Sequence, residues 1–242
     1  MKLSVVIPAL NEAARIESTL QPLQAWRTQG MELIVADGGS EDATMALARP
    51  LADRVISAPR GRARQMNAGA AVASGELLLF VHADTVLPEA APRAILEALV
   101  PVEPHAPRLL GQASIEKPRP RSSWGRFDVT ITGHHPMLRV VAWSMNLRSR
   151  LSGIATGDQA MFMTRAAFDA AGGFPDQPLM EDIVMSRRLK QLGAPLCLRE
   201  TVATSGRRWE QRGVWRTIWL MWRLRLAYFF GATPEYLAAR YR

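Results

Sequence analysis

Apolar residues come in short blocks through the first ninety positions of the chain, and each block ends in polar or glycine-rich sequence. KLSVVI (residues 2–7), MELIVA (31–36), DRVISA (53–58) and ELLLFV (76–81) are such blocks. Their length and β-branched content predict buried strands. The segments between them have helical character. Asn11 is expected to cap a helix from Glu12 to about Gln24, with the glutamate in the first turn. Further helices are predicted after Asp37-Gly38-Gly39-Ser40, to about Arg49, and over residues 62–74. Alternating strands and helices with near-continuous apolar strands predict an α/β chain, its parallel sheet covered on both faces.

Ligands of such sheets bind beyond the carboxyl ends of the strands. The polar groups expected there are Pro8-Ala9-Leu10-Asn11-Glu12, Asp37-Gly38-Gly39-Ser40, Arg60-Gly61-Arg62 and His82-Ala83-Asp84. One site can collect all four.

The pattern then changes. Residues 101–122 hold many prolines and little helix signal, and residues 123–150 give no assignment. Residues 153–164 read as loop then strand, and Gly172-Gly173-Phe174-Pro175 breaks a helix. Residues 179–193 read as a helix with Gly193 as its C-cap. PLCLRETVAT is a further strand, and a basic, Trp-rich segment follows.

Composition narrows the function classes. A chain of 242 residues can bury a sizeable core. A single cysteine, Cys197, excludes an internal disulfide and a Cys-rich zinc site. The start shows no basic n-region followed by a long apolar stretch, so no secretory signal is expected. No run reaches the roughly 18 apolar residues of a membrane span. A cytoplasmic protein is expected. The net charge of +8 calls for an anionic partner. No nucleic-acid reading motif is present, which leaves acidic lipid or a phosphate-bearing substrate.

The closing segment holds much of that charge. At about 100° per residue, Arg212, Arg216 and Arg223 share a stripe. Ile218, Met221 and Phe229 fall broadly opposite, with Trp215, Trp219 and Trp222 along a flank. Arg interleaved with Trp suits a bilayer interface, here the inner face of the membrane. Arg225 lands on the apolar side. The plain alternative is a helix packed on the core with its arginines in water.

The residues able to do chemistry each have two readings. Asp37 can accept hydrogen bonds from a nucleoside, or it can simply cap its own Gly-Gly turn. Arg60, Arg62 and Arg64 around Gly61 can grip a phosphate at a helix start, or form a solvated basic face. Asp84, at the end of a central strand, can hold a divalent metal near a diphosphate, or serve as a turn residue. Glu181 and Asp182 suit a helix N-terminus through the dipole alone, or supply a general base.

Their order brings a resemblance. VVIPALNE, ADGGSEDAT, RGRARQMNAGAAVASGELLLFVHADT, TGDQAMF, GGFPDQPLMEDIVMSRRLKQLG and SGRRW resemble the family-2 glycosyltransferases, which have the GT-A fold. The resemblance implies a Rossmann-like, mostly parallel sheet over residues 1–206, with a helical extension over 207–242. It implies that Pro8, Ala9 and Glu12 line a nucleotide pocket and that Asp37 holds the base. Arg60, Arg62 and Gln65 would lie beside the ribose and diphosphate, with His82 and Ala83 at the donor. Asp84 matches the last Asp of the Asp-x-Asp metal motif, which implies Mn²⁺ or Mg²⁺. Gly157 and Asp158 would line the sugar and acceptor region, and Asp182 would be the base with Glu181 beside it. Arg208 and Trp209 resemble the end of the Gln-x-x-Arg-Trp motif.

Two positions depart from the family pattern. His82 replaces the first Asp of Asp-x-Asp, as in a bacterial subgroup with His-Ala-Asp-Thr, and an imidazole ligand would favour Mn²⁺. Ser205 stands where processive members have Gln, which favours a single transfer. The reaction implied is inverting transfer from a nucleotide-diphosphate sugar, UDP before GDP, to an acceptor hydroxyl, with a hydrophobic or lipid-linked acceptor matching the Trp/Arg tail. The alternative is a protein that keeps the fold and binds without catalysis, but such a protein would not need Asp182. A nucleotidyltransferase would carry a Gly-rich first loop, which VVIPALNEAARI is not.

Overall fold

The computed structural model describes residues 1–99 and 122–241. The proline-rich stretch expected at 101–122 lies outside them except for Ser122. Eight strands form one sheet: β1 (Leu3–Ala9), β2 (Glu32–Asp37), β3 (Arg54–Ser57), β4 (Leu77–Phe80), β5 (Thr85–Val86), β6 (Trp124–Thr132), β7 (Phe162–Thr164) and β8 (Leu196–Ser205). Their order is β3-β2-β1-β4-β7-β6-β8-β5. The half β3-β2-β1-β4 is parallel. β7 runs antiparallel to β4 and β6, and β6 and β8 are parallel to each other. The sheet is therefore mixed beyond β4, where residues 123–150 had given no assignment.

The helices among the described residues are α1 (Ile16–Leu20), α2 (Gln24–Arg27), α3 (Thr44–Ala48), α4 (Arg62–Val72), α5 (Ala91–Leu99), α6 (Met137–Ser152), α7 (Arg165–Ala170), α8 (Glu181–Leu192), α9 (Arg207–Arg212), α10 (Val214–Phe229) and α11 (Pro234–Tyr241). Both faces of the sheet are covered. Val5, Ile7, Leu77 and Leu79 point into one core, and Val6, Leu78 and Phe80 into the other. This period-two split of continuous apolar strands is what a doubly covered sheet requires. β3, at the sheet edge, is only partly buried.

β1 continues two residues beyond the expected end, through Pro8 to Ala9. The Val81 N–H donates to the Val6 carbonyl, whereas the Gly38 N–H donates to Ala9. Alternation turns Pro8 to the β4 side, where the ladder has already ended at Val6 and Phe80. The missing N–H therefore breaks no bond there.

The single helix expected from Glu12 to Gln24 is corrected. The chain makes a turn, then α1, then a 3-10 turn at Gln21–Leu23 containing Pro22, then α2. Pro22 removes a donor inside the predicted helix and tightens the path. Asn11 is not a helix cap. Its φ is +54°, and its side-chain oxygen accepts from the Glu41 N–H at 2.9 Å. It pins the loop after β1 to the loop after β2.

α4 lies close on the sheet because Gly69 faces β1. A Cβ there would come within 2.3 Å of Val6 Cγ1. This contact sets the height at which the start of α4 delivers Arg62. Beyond β4, the fully buried Arg126 of β6 pairs with Asp128 and donates to the Asn146 carbonyl on α6 at 3.2 Å. A buried guanidinium must be paired, and here the pairing fastens α6 to the sheet. α6, α10 and β6 share a small core of Leu138, Ala142, Val214 and Ile131. Leu224 and Leu237 of the last two helices pack on Met180 and Ile183 at the start of α8.

Candidate active site

A cleft of about 430 Å³ opens at the carboxyl ends of β1 and β4. Of the sequence-predicted residues, Pro8, Ala9, Glu12, Arg60, Arg62, Gln65, His82, Ala83, Asp84, Asp158, Arg208 and Trp209 line it. A second, water-sized cavity of about 10 Å³ adjoins it, walled by Gly157, Glu181 and Asp182. Arg62 and His82 border both. Three of the four strand-end groups thus meet at one site.

The fourth does not reach the cleft wall. Asp37 is buried, and its Oδ2 accepts the N–H groups of Gly39 and Ser40 at 2.9 and 2.8 Å. Its Oδ1 accepts the Ser40 hydroxyl. The carboxylate is engaged in its own turn, the plainer of its two readings. Gln65 also has a structural task. Its Nε2 donates to the carbonyls of Ala9 and Ala36 at 2.7 and 2.9 Å, tying the ends of β1 and β2 together under the cleft floor.

The start of α4 provides the cationic side. Gly61 takes φ +138° as its N-cap, and Arg60 and Arg62 flank it on the cleft. Arg62 also donates to Glu181 at 3.4 Å. Arg64 turns away and pairs with Asp176 at 2.7 Å, so of the three arginines two face the cleft.

His82 is held tightly. Its Nδ1 lies 3.3 Å from Asp158 Oδ1. Its Nε2 is buried without a hydrogen-bond partner in the protein, against Gly157. Both ring nitrogens are thus directed to the turn at Gly157–Gln159. Burial alone would raise the Asp158 carboxyl, but the His82 contact and the charges of Arg62 and Arg208 outweigh it and hold it low.

Glu181 and Asp182 occupy the first turn of α8. Asp182 Oδ2 accepts the Gly157 N–H at 3.0 Å, and Oδ1 accepts the Ile183 N–H at 2.8 Å. Burial, then the charge of Glu181, push the Asp182 carboxyl up to about 6, against those two bonds and Arg62. A carboxylate so raised can accept a proton near neutral pH. Met180, just before the pair, has φ +66°. The other non-glycine residues with positive φ among the described residues are Asn11 and Ala160. Each lies within two residues of a site residue, namely Glu12, Asp158 and Glu181. Strain of this kind collects at functional sites.

The far wall was not read from sequence. Ile131, Thr204 and Ser205 come from β6 and β8, Thr217 and Met221 from α10, and Tyr241 from α11. The Tyr241 ring stacks under the Arg208 guanidinium at 4.3 Å, and its carbonyl accepts from Arg212 at 2.9 Å. Ser205 stands at the first position of the Gln-x-x-Arg-Trp pattern, and no motif marks the others. Ile131, Thr204 and Ser205 reach the cleft at the ends of β6 and β8, and Thr217, Met221 and Tyr241 because α10 and α11 fold back across the sheet end.

Among the described residues, no three His, Cys, Asp or Glu side chains gather as a metal cage. Asp84 is a single half-buried carboxylate on the cleft wall. This donor set fits an ion that takes most of its oxygens from a bound diphosphate and water.

Residues 4–101 match the model of the family described as Glycosyl transferase family 2. The chain is 29% identical over 221 residues to the PGL/p-HBAD biosynthesis glycosyltransferase of Mycobacterium tuberculosis, covering 77% of this chain and 85% of the relative. The structure resembles S. aureus TarS 1–349 in complex with UDP-GlcNAc, with a TM-score of 0.63 and 17% identity. That match covers 85% of this chain and 58% of the TarS chain, so this chain spans less than two thirds of it. It also resembles glucosyl-3-phosphoglycerate synthase from Mycobacterium tuberculosis in complex with Mn²⁺, UDP and glucosyl-3-phosphoglycerate. There the TM-score is 0.58 at 21% identity, over 84% of this chain and 71% of that one. The shared fold is GT-A.

Proposed function

We propose that the chain is a family-2 glycosyltransferase, a reading supported by the match over residues 4–101 and the 29% identical relative, and that it moves one sugar from a nucleotide-diphosphate sugar to an acceptor hydroxyl in a single inverting displacement. The observation that carries this reading is the junction of the two cavities. A donor-sized cleft with Arg60, Arg62 and Asp84 on its wall adjoins the Asp182 carboxylate, and Arg62 and His82 form the shared border.

Arg60, Arg62 and the start of α4 meet the diphosphate. Asp84 would hold the divalent ion, Mn²⁺ or Mg²⁺, which when bound would offset charge on the leaving diphosphate. Asp182 takes the proton of the acceptor hydroxyl. The oxygen attacks the anomeric carbon as its bond to the diphosphate breaks, and the nucleoside diphosphate departs. Gly157 and Asp158 border the sugar side, and Arg208 lies across the cleft from α4. UDP is the nucleotide, a reading supported by the relatives solved with UDP-GlcNAc and with UDP.

Trp209, Met221 and Tyr241 set apolar and aromatic groups among the polar residues of the far wall, which favours an acceptor with a hydrophobic part, and the C-terminal helices bring the protein to an anionic membrane surface. No described helix is long and apolar enough to cross a membrane. The test is a donor panel: thermal shift and hydrolysis with UDP and GDP sugars, with and without Mn²⁺. A Mn²⁺-dependent shift with UDP sugars is expected. No response to any donor would refute the reading.

A further inference from the structure

Outside the cleft, the feature glycosyl transfer leaves unused is a pair of exposed apolar stripes. On α10, Trp215, Trp219 and Trp222 are 64%, 60% and 75% exposed, and Phe229 and Phe230 continue the ridge at 75% and 77%. Phe229 had been expected on the side of Ile218 and Met221; it lies instead with the tryptophans, while Arg225 is half-buried on the inner side. α6 carries a second stripe of Val140, Trp143, Leu147 and Leu151, with Trp143 at 65% and Leu151 at 79%. The two helices share a seam through Ala142 and Val214. At about 100° per residue, the α6 stripe lies opposite the buried Leu138 and Ala142, and the α10 ridge lies opposite the buried Thr217 and Leu224.

Charge chooses the occupant. Neither α6 nor α10 contains an acidic residue. Arg139, Arg216 and Arg223 are exposed beside the stripes, and Arg223 lies over the Trp219 ring at 4.3 Å. A second copy of this face would press arginine against arginine. A bilayer with anionic headgroups takes the indoles at its interface and the guanidinia at its phosphates. α10 is 16 residues long, too short to span, so it lies in the plane.

We infer that α10 and α6 together dock the protein flat on an anionic bilayer. The inner side of α10 presents Thr217 and Met221 to the cleft, so docking sets one cleft wall against the lipid. Delivery of a lipid acceptor there rests on the transfer reading above; the docking itself does not.

The test is flotation of the full chain with phosphatidylcholine vesicles, with and without phosphatidylglycerol, at low and high salt. Binding to the mixed vesicles at low salt is expected. Replacing Trp215, Trp219 and Trp222 together by Ser should weaken it at least about tenfold, and Trp143→Ser with Leu151→Ser should weaken it further. Donor-induced thermal shift should be unchanged, which separates failure of docking from failure of the transfer reading. If the triple variant misfolds, Arg216→Gln with Arg223→Gln is the alternative, with a loss on the order of tenfold. Wild-type protein that ignores the mixed vesicles, or variants that bind like wild type, would overturn the inference. So would a dimer in size exclusion that the tryptophan replacements abolish.

Discussion

The Gly157 N–H donates to Asp182 Oδ2 at 3.0 Å. This bond joins the turn after α6 to the start of α8 and orients the carboxylate assigned as base. It favours the ionised form, yet burial and Glu181 outweigh it and leave the group at about 6.

The rate should therefore rise with pH through about 6 and level above it, because only the ionised carboxylate accepts the proton. Glu181→Gln removes the second of the two raising influences and should shift that limb to lower pH. A pH profile of kcat/KM with saturating metal measures both. A limb that stays in place in the Gln variant would exclude the proposed coupling.

Stability should respond with the opposite sign. The ordinary value is 3.8 and the folded value about 6, so between them the folded chain binds more protons than the unfolded chain. The contribution of Asp182 to stability is then lost as pH rises through this window. Urea midpoints at pH 4 and pH 7, compared between wild type and Asp182→Asn, isolate the effect: the loss on raising pH should shrink in the variant.

Gly157→Ala tests the packing behind the base. The new Cβ would lie 2.4 Å from His82 Nε2, so the imidazole or the turn must move. A cost of about 1–3 kcal/mol is expected from overpacking, with a fall in kcat as the N–H leaves Asp182. Chemical denaturation and steady-state kinetics check the pair.

Gln65→Ala should destabilise the cleft floor. It removes the Nε2 donor from the carbonyls of Ala9 and Ala36, while the Ala9 carbonyl keeps the Gly38 N–H, so a loss of about 0.5–1.5 kcal/mol per hydrogen bond is expected. Gln65 should thus register in the urea midpoint before it registers in donor affinity.

The parallel half of the sheet was legible because strands buried on both faces are continuous apolar blocks, and Pro8, Arg60 and Asp84 follow from where those blocks end. The mixed half was not. β6 carries Arg126 and Asp128, so its pattern is broken by charges that pair with each other and with groups on α6. Asp37 shows the converse: the sequence allowed a turn or a ligand, and the neighbours Gly39 and Ser40 take up both oxygens. Tyr241 shares no local pattern with the cleft. Only tertiary packing of α11 on Met180 and Ile183 brings it there.

The proposed metal dependence turns on one residue. Asp84→Ala should abolish the gain in donor affinity on adding Mn²⁺ while leaving the metal-free affinity near wild type. A Mn²⁺ titration by calorimetry distinguishes this from general loss of the cleft.

The most direct measurement is single-turnover transfer by Asp182→Asn with donor affinity determined on the same protein. A fall of about 10²–10⁴-fold in rate is predicted, with donor and Mn²⁺ binding retained. Transfer at the wild-type rate with normal donor binding would show that Asp182 is not the base.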